Sequence, residues 1–214
     1  MNEFQSWHND AMGAKAVEAL NKNNFNAVYV KTRQEAIDHV LSLIDPGATI
    51  GVGGSWTITV ELGISALLED RGHTVYNHNK PDLSPEESLD LRRKELTSDV
   101  FLSGTNALTL DGKLVNVDGA GNRVAAMIFG PKKVIVVTGV NKIVRDVAEA
   151  ERRIELCAAP INNKRLSRPN PCTKSGVCMD CQGPTRICNV TTILRKRPLA
   201  VEFYVVVVGE ELGF

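Results

Sequence analysis

The sequence predicts an α/β fold in which a mostly parallel β-sheet is flanked by helices, within a single domain over residues 1–214. Short runs of apolar, often β-branched residues alternate with stretches of helical periodicity, the order found around parallel sheets. Residues 134–138 are V-I-V-V-T and residues 200–208 are strongly β-branched, as expected of strands buried on both faces. At 214 residues the chain is also long enough to bury a substantial core.

The first half of the chain predicts alternating helices and strands whose starts are marked by capping residues. Thr32 with Glu35 forms one capping box, and Ser84 with Glu87 forms another that has proline at the first helical position. In chain order we predict an N-terminal helix over 1–22, a strand over 25–30, a helix over 32–44, a strand over 49–52, a helix over 57–68, a strand over 74–76 and a helix over 84–96.

The second half adds a hairpin and a long segment that is rich in turn formers. Asp111-Gly112 is a tight-turn pair between two apolar runs. We predict a strand over 99–102, hairpin strands over 107–108 and 114–117, helices over 121–128 and 146–157, and strands over 134–138 and 200–208. The segment 160–198 is too long to be a structureless connector, so we expect its cysteines to organise it.

The composition excludes several classes of function. Lys+Arg and Asp+Glu both number 25, so no global basic field attracts nucleic acid. No apolar run approaches the roughly 20 residues of a membrane helix, and we expect no membrane insertion. The first ten residues lack the basic start and apolar stretch of a signal peptide. We therefore expect a cytoplasmic protein that binds neither nucleic acid nor the bilayer.

A glycine loop, G-V-G-G-S-W-T, lies between the second predicted strand and the next helix. Glycines let the backbone approach a ligand, and the helix start favours phosphate or carboxylate. The spacing matches neither a dinucleotide fingerprint nor a Walker loop. The predicted ligand-binding residues are Gly51, Gly53, Gly54, Ser55 and Thr57, with Glu61 as a candidate acid or base one turn into the helix. The alternatives are a plain capped turn and a solvent-facing Glu61.

Polar residues interrupt the apolar runs between Ser103 and Lys142, at the ends of predicted strands. Open α/β sheets bind small molecules where their strands end. We predict ligand-binding roles for Gly104, Asn106, Asn116, Asn122 and Arg123, and catalytic roles for Asp118 and Lys142 beside Glu61. Arg123 offers a planar fork to carboxylate or phosphate, and Lys142 adds a second cation. Alternatively, the asparagines and the aspartate shape turns by bonding their own backbone.

Four of the five cysteines, Cys172, Cys178, Cys181 and Cys188, lie within seventeen residues. In a reducing compartment such clustering indicates a metal site rather than disulfides, and four thiolates suit zinc or an iron–sulfur cluster. Their spacing is that of neither a zinc ribbon nor a bacterial ferredoxin. The surrounding basic residues favour thiolates and equally favour an anionic ligand. The alternative is four free thiols in a solvated loop. Cys157 is expected in the core.

Beyond these local patterns, nearly the whole chain resembles the LUD-domain family, also called DUF162 and named for lactate utilisation. The resemblance is carried by G-T-N-A-L-T-L-D-G-K-L-V-N-V-D-G-A-G-N-R-V-A-A, A-A-P-I-N-N-K-R, P-C-T-K-S-G-V-C-M-D-C, P-T-R-I-C-N and G-E-E-L-G-F. It implies a fold of the ribose-phosphate isomerase, glucosamine-phosphate deaminase and coenzyme A transferase-like class. It also implies a place in the oxidation of lactate to pyruvate beside iron–sulfur oxidoreductase subunits. It supplies no catalytic residue.

Three functions follow from these observations. We expect a subunit or accessory of a lactate-oxidising complex that binds a small organic anion, with iron–sulfur oxidoreductase subunits as partners. One alternative is a stand-alone sugar-phosphate isomerase or acyl-coenzyme A transferase, favoured by the glycine loop with Asp118 and Lys142. The other is a ligand sensor that catalyses nothing. Whether the protein is itself an enzyme stays open at this stage.

Overall fold

A computed structural model of the chain describes residues 2–214, in which helices and strands alternate as the sequence predicts. The helices are α1 Glu3–Lys22, α2 Arg33–Ser42, α3 Ile64–Asp70, α4 Pro85–Glu95, α5 Asn122–Ile128, α6 Val147–Arg153, α7 Ala159–Arg165 and α8 Cys172–Ser175. The strands are β1 Asn26–Val30, β2 Ile50–Val52, β3 Val75–Asn77, β4 Val100–Ser103, β5 Ala107–Thr109, β6 Leu114–Asp118, β7 Lys133–Gly139, β8 Ile143–Val144, β9 Val190–Leu194 and β10 Glu202–Val208.

The main sheet has six parallel strands in the order β1-β10-β7-β4-β2-β3. Its register places Val136 beside Val205 on one side and Ser103 on the other. The central strands β4, β7 and β10 are almost entirely buried, because helices cover both faces of the sheet. The predicted α/β fold with a mostly parallel sheet is confirmed.

Two apolar clusters fill the two faces of the main sheet. One contains Ile50, Ile58 and Ile135, and the other contains Phe101 and Phe203. Burying a side chain of this size stabilises the fold by about 1.5–3 kcal/mol. The helices that carry the cluster residues are therefore held firmly, and so are the loops that connect them to the strands.

A second, mixed sheet has the strand order β8-β5-β6-β9. Strands β5 and β6 form the predicted hairpin around Asp111-Gly112. Strand β9 was not predicted within the segment 160–198, because its half-exposed sequence V-T-T-I-L follows a run of turn formers. It pairs antiparallel with β6, which places Val190 opposite Asp118. The cysteine-bearing segment is thus fastened directly beside candidate site residues.

Two predicted helices differ from the structure. The helix predicted over 57–68 is a π-helical turn, Thr57–Glu61, followed by α3, and Gly63 separates them with a left-handed φ of 61°. The helix predicted over 146–157 continues through a second π-helical turn, Ile154–Ala158, into α7. Helix-period patterns cannot show such a change of winding, which recurs at functional sites.

Helix α1 confirms the predicted N-terminal helix and packs on β1 through a small residue. A β-carbon at Gly13 would lie 2.3 Å from Cε2 of Tyr29, so only glycine allows this approach. The Tyr29 hydroxyl donates to Asp10 at 2.7 Å, which fixes the ring between helix and strand. Within residues 2–214 no helix combines the length and apolarity that crossing a bilayer requires.

Candidate functional site

A cleft of about 370 Å³ opens at the carboxyl ends of the parallel strands. The loops that follow β2, β3, β4 and β7 all contribute to it, and α7 and the segment after α8 form the opposite wall. The carboxyl edge of an open parallel sheet is the general ligand site of such folds. This volume falls in the range of small-molecule pockets.

Ten of the predicted site residues line this cleft. They are Gly53, Gly54, Ser55, Thr57, Gly104, Asn106, Asp118, Asn122, Arg123 and Lys142. The other three do not line it. Gly51 packs on α4, where a β-carbon would lie 2.7 Å from Oγ of Ser98, and Glu61 accepts a hydrogen bond from the Gly213 amide at 2.6 Å. Asn116 is fully buried one layer behind the cleft wall.

The glycine loop is shaped by close packing as well as by its turn. A β-carbon at Gly53 would lie 2.8 Å from the Phe101 ring and 3.0 Å from Cγ of Arg123. Gly54 has a left-handed φ of 69°. Ser55 precedes the π-helical turn, and its Oγ accepts from the Ile58 amide at 3.4 Å. The loop is therefore pressed against the residues that form the floor of the cleft.

Arg123 is held by the protein's own acceptors. Its Nη2 donates to Oδ1 of Asp118 at 2.6 Å and to Oδ1 of Asn106 at 3.0 Å. Its Nη1 donates to Oδ1 of Asn116 at 2.8 Å. The other carboxylate oxygen of Asp118 accepts from the Val124 amide at 3.1 Å, at the start of α5. Arg123 and Asp118 thus form a neutral, rigid wall, and most of the guanidinium's capacity to donate is already used.

Lys142 is the opposite case, a largely buried side chain whose amine the protein does not hydrogen-bond. It is 5% exposed, its Nζ reaches the cleft surface, and no hydrogen bond or ion pair to Nζ forms within residues 2–214, although the charge of Glu61 acts on it from nearby. Burial, followed by the charge of Arg153, lowers the pKa of Lys142 to about 8. A β-carbon at Gly213 would lie 2.8 Å from Nζ and 2.7 Å from Oγ1 of Thr57, so the amine and this hydroxyl face the same space. The pair can bind an anion at the inner end of the cleft.

Two buried donors near the cleft are unsatisfied. Within residues 2–214, the buried side-chain nitrogen and oxygen atoms without a hydrogen-bond partner are Nε of Arg92 and Nδ2 of Asn116. The orientation of the Asn116 amide is fixed because its Oδ1 accepts from the Asn106 amide and from Arg123. Both unsatisfied atoms are donors.

The segment from α7 onward brings further cations to the cleft. Arg165, Arg168 and Arg186 line the wall that faces the glycine loop. Arg165 lies over the Trp56 ring with its Cζ 6.0 Å from the centroid, and it donates to Oδ1 of Asn162 at 2.9 Å. The cleft is lined by six arginine or lysine side chains and one acidic side chain, Asp118, among the residues described. Its electrostatic potential therefore favours an anion.

A histidine–glutamate pair in the wall was missed by the sequence prediction, which gave the histidines no role. Nδ1 of His78 lies 2.7 Å from Oε1 of Glu95, and the His78 amide donates to the same oxygen. Glu95 is 1% exposed. Nε2 of His78 lies 3.3 Å from Nδ2 of Asn79 at the cleft surface. An imidazole oriented in this way by a buried carboxylate can accept a proton from a ligand hydroxyl.

The four clustered cysteines surround a second, small cavity of about 20 Å³ behind this wall. Cys172 is buried and the other three are partly exposed. Burial and then the charge of Cys178 raise the pKa of Cys188 to about 11. No three His, Cys, Asp or Glu side chains within residues 2–214 are close enough together to hold a single metal ion. Cys157 lies apart from this cavity and is half-buried rather than in the core.

Comparison with known proteins identifies one family and one similar structure. The family model described as LUD domain matches residues 13–208. A crystal structure of a DUF162 family protein from Deinococcus radiodurans superimposes with a TM-score of 0.51 at 15% sequence identity, covering 94% of this chain and 97% of that chain. This likeness supports the fold. No curated protein matches the chain.

Proposed function

Because the chain belongs to the LUD-domain family, we propose that it is a lactate-utilisation protein that binds a small organic anion as a subunit or accessory of a complex oxidising lactate to pyruvate. The ligand class follows from the cleft, whose size suits a small molecule and whose lining is cationic. The proposed ligand is a 2-hydroxy or 2-oxo carboxylate. The proposed partners are iron–sulfur oxidoreductase subunits.

The observation that carries this proposal is the unpartnered Lys142 at the inner end of the cleft. A hydrogen bond from a charged group such as this amine contributes about 1.5–3 kcal/mol, which is available to an anionic ligand. A ligand carboxylate would supply the hydrogen-bond acceptor that Lys142 does not find within the protein. Arg123 does not compete for this role, because Asp118, Asn106 and Asn116 already engage it.

The His78–Glu95 pair gives the same cleft a proton acceptor. A ligand whose carboxylate contacts Lys142 could place its 2-hydroxyl toward Nε2 of His78. Glu95 would then hold the ring in one tautomer and stabilise the imidazolium that forms. In this arrangement Lys142 and the arginines bind and orient the anion, and His78 receives the hydroxyl proton. The Cα hydrogen would leave with two electrons, as a hydride, to a redox acceptor held by a partner subunit of the complex.

The test is calorimetric titration of the full chain with lactate, pyruvate, ribose 5-phosphate and coenzyme A. We expect lactate or pyruvate to bind, and the Lys142→Met variant to bind about 10- to 100-fold more weakly, since a hydrogen bond to a charged group contributes about 1.5–3 kcal/mol. Lys133→Met is the matched control, because Lys133 lies at the other end of β7 and bonds the Leu43 carbonyl. Equal affinities in all three proteins would contradict the proposal.

A stand-alone sugar-phosphate isomerase or acyl-coenzyme A transferase is the second candidate, favoured by one observation. Six cationic side chains exceed what a single carboxylate needs, and the glycine loop lies at the start of a helical turn. In the same titration, tighter binding of ribose 5-phosphate or coenzyme A than of lactate would select this candidate. Turnover assays on the bound ligand would then separate an enzyme from a ligand sensor.

The metabolic role has its own test in a cell that carries this gene. Deleting the gene should abolish or slow growth on lactate and leave growth on other carbon sources unchanged. Restoring the gene should restore growth, whereas the Lys142→Met allele should not. Normal growth of the deletion strain on lactate would reject the metabolic assignment even if the cleft binds an anion.

A further inference from the structure

The segment between α7 and β9 contains a side-chain arrangement that the anion cleft does not use. Cys172, Cys178, Cys181 and Cys188 all line one enclosed cavity. Its volume of about 20 Å³ is that of roughly one water, so a larger group would enter only with outward movement of the surrounding loop. Four thiols that converge on one enclosed space are the donor set of a thiolate-bound metal group.

The polypeptide around this cavity has little apolar material to hold it in place. Val177 and Met179 are 40% and 57% exposed, so they contribute little burial to this stretch. What fixes the stretch is polar. Nδ2 of Asn170 donates to Oδ1 of Asn163 at 2.6 Å, and Oγ1 of Thr185 donates to Oδ1 of Asn170 at 2.7 Å. These hydrogen bonds hold the two ends of the segment in place. They do not connect the cysteines that lie between the ends, so another interaction is needed to hold those cysteines together.

The spacing of the thiols indicates which metal group fits. A zinc ion with Zn–S bonds of about 2.3 Å requires its sulfurs to lie roughly 3.8 Å apart in a tetrahedron. No three of the cysteines are close enough together to hold one ion, although all four face the same cavity. An iron–sulfur cluster places iron and sulfide between its thiolates and therefore holds them farther apart. The four thiols that face one cavity supply the number of ligands that such a cluster takes.

The immediate surroundings also suit a cluster that carries negative charge. Nη1 of Arg186 donates to the Cys181 carbonyl at 2.7 Å, and its Nε donates to the Cys188 carbonyl at 3.1 Å. The guanidinium is thereby fixed beside the thiols, and its Nη1 also donates to Oδ1 of Asp180 at 2.7 Å. Burial raises the pKa of Cys188, and the charge of Arg186 opposes part of that rise. The Asp180 amide donates to Sγ of Cys178 at 3.4 Å, the kind of N–H···S bond that tunes cluster potentials.

We propose that Cys172, Cys178, Cys181 and Cys188 bind an iron–sulfur cluster. Arg186 and Ile187 line both this cavity and the cleft, so the cluster would lie directly behind one wall of the anion site. Cluster binding would hold that wall in place. The cluster itself does not depend on the identity of the ligand in the cleft, so the two proposals can fail separately.

The test is reconstitution of the full chain with ferrous iron and sulfide without oxygen, followed by iron and acid-labile sulfide analysis. We expect both elements in equal amounts, together with the visible absorption of iron–thiolate charge transfer. The double variant Cys178→Ser/Cys181→Ser should retain neither, whereas Cys157→Ser is the matched control and should keep the full content. Zinc without labile sulfide, or no bound metal at all, would overturn the proposal.

Thiol alkylation of the wild-type chain keeps the test decisive should the double variant fail to fold. In the reconstituted protein we expect the four cluster cysteines to resist iodoacetamide, and to become reactive together when a chelator and an oxidant destroy the cluster. Mass spectrometry of the peptides identifies which cysteines react. Alkylation of all four at the rate of free thiols in reconstituted protein would contradict the cluster.

Discussion

Lys142 and Lys133 lie near opposite ends of strand β7 and have opposite surroundings. Lys133 donates to the Leu43 carbonyl at 2.6 Å and to Asp45 at 3.4 Å, so its charge is satisfied. Lys142 has no such partner among the residues described, and burial lowers its pKa to about 8. One end of the strand thus carries a structural cation, and the other end carries a cation available to a ligand.

Anion binding should therefore be coupled to protonation of Lys142. A nearby anion favours the charged amine and raises its pKa, so near pH 8 binding should take up roughly half a proton. Affinity should fall as the pH rises through about 8, because the neutral amine no longer attracts the anion. Calorimetry in two buffers of different ionisation enthalpy measures the proton uptake. Uptake that persists in Lys142→Met would assign it to another group.

The His78–Glu95 pair predicts a fixed tautomer. Nδ1 should carry the proton toward Glu95, which leaves Nε2 as the acceptor that faces Asn79 and the cleft. Heteronuclear NMR of the imidazole nitrogens should show this tautomer in the wild type. The Glu95→Gln variant should shift the population toward the other tautomer, since the carboxylate no longer selects Nδ1–H. An unchanged spectrum would mean that Glu95 does not orient the ring.

At the scale of single residues, the sequence predicts some site residues and misses others. The missed residues come from separate segments of the chain. Asn106, Asp118 and Arg123 lie within eighteen residues, and their polar character at strand ends indicates a site. His78 and Glu95 follow β3 and end α4, and neither lies in a local motif. Only the packing of α4 beside the main sheet brings them together. Sequence patterns detect sites made within one segment more readily than sites made between segments.

At the scale of helices and strands, the site is shaped by the loops whose conformations these elements fix. The glycine loop after β2 is held between the Phe101 ring, Arg123 and the residues after β3. Its conformation therefore depends on several elements at once, although its sequence alone predicted a ligand loop. By contrast, β9 could not be predicted, because its pairing with β6 is what makes V-T-T-I-L a strand. Edge strands with half-exposed side chains carry a weak pattern.

Alanine substitutions at two glycines test whether ligand binding depends on the conformation of the glycine loop. Gly54→Ala should lower stability by about 1–2 kcal/mol, because its φ is left-handed, and should also weaken anion binding, because the β-carbon would lie 2.8 Å from Nδ2 of Asn79. Gly72→Ala is the matched control. Its φ is 84° and nothing lies within 4 Å, so it should lose similar stability and keep full affinity. Equal affinity in both variants would separate the loop from ligand binding.

On the scale of the whole molecule, stability should be uneven. The central strands of the main sheet are buried. The segment 166–189 is instead held by side-chain hydrogen bonds and, as we propose, by a cluster. Removing the metal should therefore increase amide hydrogen exchange in that segment and leave β4, β7 and β10 protected. Mass-spectrometric exchange of loaded and metal-free protein measures this difference. Equal exchange in the segment would show that the cysteines contribute no metal-dependent order.

The place of β10 in the main sheet has a consequence for how the protein is made. This strand follows all the other strands in the sequence and yet lies between β1 and β7. While a ribosome is still synthesising the C-terminal part, β1 has no neighbouring strand, and an inner edge of β7 is open to incorrect pairing. The nascent chain can complete this sheet only when β10 has been made and inserts between the two, so the main sheet closes after all its other strands have been synthesised.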